Sequence, residues 1–116
     1  MSPESIIDLH TFNTLQTEMG QDFVGELLQT YFEELPQLLA KLKDSLAVQD
    51  CDAFQRAAHS IKSTSNSFGA LQFGLQAREL EMMGRANQLD GAPDKVEQLV
   101  SDYETVRKAL EGLNHA

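Results

Sequence analysis

The 116 residues, 41% of them apolar, suffice for one domain with a single hydrophobic core and no staple from metal or disulfide. A net charge of −9, with nine scattered Lys and Arg against 18 Asp and Glu, argues against nucleic acid and anionic membrane surfaces as partners, since both demand clustered cations. No apolar run nears the ~20 residues of a membrane span, the N-terminus lacks the basic and apolar regions of a signal peptide, and the lone Cys51 can form no internal disulfide, so a soluble cytoplasmic protein is expected.

Residues 1–7 are expected to form a loosely attached terminus, although Ile6 and Ile7 are apolar enough to pack. Asp8 suits the N-cap of a short first helix on which Leu9, Phe12, Leu15 and Met19 keep helical spacing as far as Gly20, a residue fit for the C-cap. A long second helix is expected over 21–47, because Val24, Leu27, Leu28, Tyr31, Leu35, Leu38, Leu42 and Leu46 hold one stripe throughout. Pro36 falls inside it. A proline there removes one backbone hydrogen bond and crowds the preceding turn, so a kink over 32–36 is expected rather than a break, the stripe continuing in phase.

After the short connection Val48-Gln49-Asp50, Asp50 or Asp52 can cap a third helix that runs to about Phe68. Its buried stripe is Phe54, Ala57, Ala58, Ile61, Ser65 and Phe68. At roughly 100° per residue, His59 falls about 150° from the centre of that stripe and should look outward. Gln55, Ser63 and Asn66 share its sector. Lys62, three residues on, lies on the flank, within reach of an anion held on the imidazole. Gly69 closes this helix.

The next helix, about 70–87, places Phe73, Ala77, Leu80 and Gly84 on one stripe and Leu71, Leu75 and Met82 on nearly the opposite side. For the second stripe, packing within the molecule is expected ahead of contact with a partner. Asp90-Gly91-Ala92-Pro93 reads as a loop leading into a last helix with Val96, Leu99, Val100, Tyr103, Val106, Leu110 and Leu113 in three-four spacing. No strand-period alternation occurs. The expected fold is all-α: an antiparallel up-down four-helix bundle with a short additional N-terminal helix, forming one domain over 1–116.

An exposed histidine is usually only a surface residue, but its neighbours here point to chemistry. An imidazole acting as a nucleophile must be neutral and reachable, and an attached phosphoryl group brings about two negative charges that a nearby lysine offsets. Small side chains at Ser63 and Asn66 let another protein close over the ring. A di-iron bundle would need Glu-x-x-His pairs, yet Arg56 stands where the glutamate would be, and His10 and His115 lie near the ends. There is no glycine-rich phosphate cradle, and no paired catalytic carboxylate is expected beside the histidine, so neither autonomous kinase activity nor a cofactor of the chain's own is expected.

The run His59-Ser-Ile-Lys62-Ser63-Thr-Ser-Asn66-Ser-Phe-Gly69-Ala70 resembles the signature of bacterial histidine phosphotransfer (HPt) domains, in which lysine follows the histidine three residues on and glycine ten residues on. Leu80-Glu81 and Gly84-Arg85 resemble that family's following helix, and the likeness extends over about residues 8–113. The resemblance implies a stand-alone phosphorelay intermediate. His59 would accept a phosphoryl group from the aspartate of one receiver domain and pass it to the aspartate of another. Lys62 would help neutralise the group in transit, while Mg²⁺ would belong to the receiver. The implied partners are receiver domains of hybrid sensor kinases and of response regulators, met by a monomer. Gln55, Ser63 and Asn66 are the docking residues expected from geometry, and Gly69 is counted with them as partner-binding. Ser63 stands where many members have glycine, but it is small enough for close approach. Dimerisation helices of sensor kinases usually carry an acidic residue directly after the histidine and a proline five residues after it; Ser60 and Thr64 occupy those positions here. The alternative function is a helical adaptor that binds a receiver or sensor kinase and modulates it without carrying phosphate.

Overall fold

The computed structural model describes residues 6–113. They form five helices: α1 (Leu9–Met19), α2 (Gln21–Ala47), α3 (Cys51–Ser67), α4 (Leu71–Arg85) and α5 (Ala92–Leu113), with no strand among the described residues. The boundaries follow from local chemistry. The Asp8 carboxylate accepts the Thr11 N–H at 3.2 Å to start α1, and the Asp50 carboxylate accepts the Ala53 N–H at 3.0 Å to start α3. Gly20, at φ 87°, ends α1 and begins α2 within one residue.

At ~1.5 Å per residue the 27 residues of α2 span about 40 Å and account for the 43 Å long axis of the molecule. The helix runs unbroken through Pro36. Its buried face is Val24, Leu28, Tyr31, Leu35, Leu39, Leu42 and Ser45, whereas Leu27, Leu38 and Leu46 are only half-buried. The stripe is thus rotated slightly from the one that leucine spacing alone suggests. Helices α2 to α5 pack in a ring, α2 on α3, α3 on α4, α4 on α5 and α5 back on α2, and α1 lies against α2 and α3. The α3–α4 contact is the most extensive of these.

Two expectations change. Residues 1–5 lie outside the described residues, but Ile7, placed in a loosely attached terminus though apolar enough to pack, is fully buried. It is held there because the Asp8 N–H donates to the Gly69 carbonyl at 2.8 Å, tying the entry of α1 to the turn after α3. The second stripe of α4 does not pack inside the molecule either. Leu71, Leu75 and Met82 are 41%, 51% and 48% exposed, because α3 and α5 occupy the flanks of α4 and, among the described residues, no element covers its outer side.

Among the core residues, the Tyr31 hydroxyl and Ser65 Oγ are hydrogen-bonded at 2.8 Å, which explains a serine in the buried stripe of α3. No helix among the described residues is long and apolar enough to cross a membrane.

Candidate functional site

The residue numbers that meet across the α3–α4 contact rise along one helix as they fall along the other: Gln55 meets Gly84, His59 meets Glu81, and Asn66 meets Gly74. The two glycines set the distance. A Cβ at Gly84 would sit 3.0 Å from the Cys51 carbonyl oxygen and 3.0 Å from the Gln55 nitrogen, so the α3 backbone approaches α4 more closely than a side chain there permits. At Gly74 a Cβ would run into Asn66 Oδ1, so the Asn66 side chain rests on the glycine.

Between these two points Glu81 crosses from α4 to α3. His59 Nδ1 lies 2.7 Å from Glu81 Oε2, the Lys62 ammonium donates to Glu81 Oε1 at 2.6 Å, and Arg85 Nη2 donates to Oε2 at 3.2 Å. The Glu81 side chain is only 3% exposed, while that of His59 is 58% exposed. One buried carboxylate thus holds three basic side chains, and the ring of one of them faces solvent.

Burial pulls the Glu81 carboxyl toward its neutral form, but the hydrogen bonds from Lys62 and His59, with their charges, outweigh it and hold the group below the usual carboxylate range. The ionised carboxylate accepts only, so Nδ1 carries the proton of the 2.7 Å bond. A neutral imidazole protonated on Nδ1 has its lone pair on Nε2. No hydrogen bond reaches Nε2 among the described residues.

His59 faces outward as its helical phase requires, and Gln55 lines the same depression, together with Arg56, Ser60, Glu81 and Arg85. Ser63 and Asn66 are exposed on α3. Gly69 is not available for docking. It is buried, with φ 89°, and a Cβ there would meet the Asp8 carbonyl oxygen at 2.7 Å, so its role is to let α1 begin against the end of α3. Lys62 is not a free cation on the flank either, since its ammonium is engaged with Glu81.

No paired carboxylate was expected beside the histidine, and α4 supplies a single one. Helical phase on α3 could not reveal Glu81, because the contact spans 22 positions and depends on how two helices cross. The signals on α4 were a glutamate flanking the buried stripe and glycines inside a helix, which cost stability unless close packing needs them. Among the described residues no group of three or more His, Cys, Asp or Glu is placed to hold a metal ion.

The helical bundle thus presents an oriented, solvent-facing imidazole over a buried carboxylate. The chain belongs to the Hpt domain family, whose model matches residues 26–109. No curated protein sequence matches it. The crystal structure of histidine-containing phosphotransfer protein B (HptB) from Pseudomonas aeruginosa PAO1 superposes with a TM-score of 0.88 at 28% identity, covering 94% of each chain. The chain's function is histidine phosphotransfer in phosphorelay signalling, and its partners are of the receiver and response-regulator kind.

Proposed function

We propose that His59 is the phosphoacceptor and that it reacts through Nε2. The observation that carries this reading is the 2.7 Å contact between Nδ1 and the ionised, buried Glu81, which leaves the lone pair on the outward nitrogen. Nε2 attacks the phosphorus of an aspartyl phosphate on a receiver domain. The N–P bond forms, the P–O bond breaks, and its electron pair returns to the receiver's aspartate. Nδ1 keeps its proton, so the ring becomes an imidazolium whose positive charge lies against Glu81. That charge makes the imidazole a good leaving group, and the same steps in reverse deliver the phosphoryl group to the aspartate of a second receiver.

Lys62 spends one of its three N–H donors on Glu81, and the others are available to the phosphoryl oxygens. Arg85, bound to the same carboxylate and 57% exposed, is a second cation for that role. Mg²⁺ and most of the transition-state stabilisation belong to the receiver. Gln55, Ser63 and Asn66 border the docking surface. In this reading the chain acts as a monomer in the cytoplasm between hybrid sensor kinases and response regulators.

The test is incubation with a panel of phosphorylated receivers and Mg²⁺, followed by assay for acid-labile, base-stable label, with His59→Gln alongside. Label in the wild type and none in the variant is expected. Undiminished label in His59→Gln would assign the chemistry elsewhere, and receiver binding with no label at all would favour the adaptor.

A further inference from the structure

The outer side of α4 has an order that the phosphotransfer chemistry does not use. At roughly 100° per residue, Leu71, Leu75 and Met82 fall within about 40° of one another around the helix axis. Next to them, on the edge nearer α3, come Arg78 and Arg85, and beyond these lies Glu81 with His59. Passing outward from the imidazole, a partner therefore meets a row of guanidinium groups and then an apolar stripe. All three stripe residues are about half exposed.

The charges around the stripe are unequal. On the far edge Glu79 is neutralised by Lys95 at 3.0 Å. On the edge toward His59, Arg78 is exposed and has no hydrogen bond or ion pair among the described residues, in a chain of net charge −9. Arg85 is 57% exposed and shares its Glu81 partner with two other bases. The cationic edge thus faces the reacting histidine. A partner that brings an aspartyl phosphate to His59 is necessarily anionic at that end.

We propose that this face of α4 is the apolar extension of the receiver-docking surface, where an apolar patch on the receiver covers Leu75 and Met82 while acidic side chains beside its phosphoaspartate meet Arg78 and Arg85. The proposal rests on His59 as the phosphoacceptor. Size supports it: three half-exposed side chains fall well short of the ~800 Å² per partner that stable interfaces bury. The stripe is too small to hold a second copy of the chain by itself. As the margin of a footprint centred on His59 it adds apolar contact where specificity is needed.

The test compares wild type, Leu75→Gln/Met82→Gln and Arg78→Glu, with the receiver that labels wild type fastest as probe. Both variants should keep the wild-type thermal midpoint and the wild-type rate of His59 loading by phosphoramidate, a donor too small to touch the stripe. The receiver concentration for half-maximal transfer should rise about tenfold while the rate at saturation holds, a factor that corresponds to ~1.4 kcal/mol of docking energy. An unchanged half-saturating concentration would overturn the proposal, as would an equal loss of loading by phosphoramidate. A wild-type dimer in sedimentation that Leu75→Gln/Met82→Gln dissociates, with receiver transfer unaffected, would reassign the stripe to self-association. Failure of every receiver to label the wild type would refute the reading of His59, and the docking proposal would fall with it.

Discussion

Glu81 concentrates the energetics of the site in one side chain, because a carboxylate that is 3% exposed must keep its partners to stay charged. In the proposed mechanism, replacing it with glutamine removes the anion that fixes Nδ1–H and balances the imidazolium. On that mechanism transfer to His59 should slow by about tenfold or more, comparable with the loss of a hydrogen-bond partner that orients a metal-ligating imidazole; stopped-flow or gel measurement of single-turnover transfer checks this. The same residue sets a pH dependence. Its carboxyl is held lower in the folded chain than in the unfolded one, so its stabilisation is complete above the ordinary glutamate range near ~4.3 and disappears as pH falls through the depressed folded value. The difference in urea midpoint between wild type and Glu81→Gln should therefore be largest near neutrality and shrink toward pH 3. Lys62→Ala, by leaving Glu81 short of a partner, should lower stability as well as slow transfer, which a free surface lysine would not do. Tyr103 presents the opposite situation. Its buried hydroxyl has no hydrogen-bond partner among the described residues, and burial pushes the phenol up to about 12. Tyr103→Phe should leave the thermal midpoint unchanged or raise it, since it removes an unsatisfied polar group and keeps the ring packed near Phe73 and Tyr31.

Helix α4 is built to let α3 come close, and its two glycines within the contact are not equivalent. At Gly84 a methyl group would meet backbone atoms of Cys51 and Gln55 at 3.0–3.1 Å, which can yield only if the helices separate. At Gly74 it would meet the end of the Asn66 side chain, which can rotate away. Gly84→Ala should accordingly cost about 1–3 kcal/mol, the usual range for overpacking. Gly74→Ala should cost little, since alanine's higher helix propensity offsets up to ~1 kcal/mol. Chemical denaturation of both variants decides this. Gly84→Ala should also slow transfer, because separating the helices lengthens the His59–Glu81 contact. Helix existence, capping and buried faces were legible along the chain: Asp8, Gly20 and Asp50 stand at the predicted ends, and Phe54, Ala57, Ala58, Ile61, Ser65 and Phe68 are all buried. Gly84 was placed on the buried stripe, but the identity of the backbone it admits was not legible, since nothing local names Cys51 and Gln55 as its neighbours.

Across the whole molecule, the core takes in Ile7, ahead of α1. Ile7 is fully buried, so Ile7→Ala should cost about 2–5 kcal/mol, as large-to-small changes in well-packed cores do, whereas a loose terminus would show almost no effect on the denaturation midpoint. The bundle, the outward histidine and the lysine beside it were readable from the sequence because each depends on helical period: a residue's phase within its own helix fixes which way it faces, whatever the rest of the chain does. The depth at which Ile7 sits, the burial of Gly69, the exposure of Leu71, Leu75 and Met82, and the carboxylate behind His59 depend on which helices become neighbours and how closely they cross. Those relations join residues far apart in sequence through packing, and no single helix contains them. Helical phase alone turns the imidazole toward solvent, whereas the crossing of α3 and α4 places Glu81 behind it and so occupies Nδ1 and leaves Nε2 open.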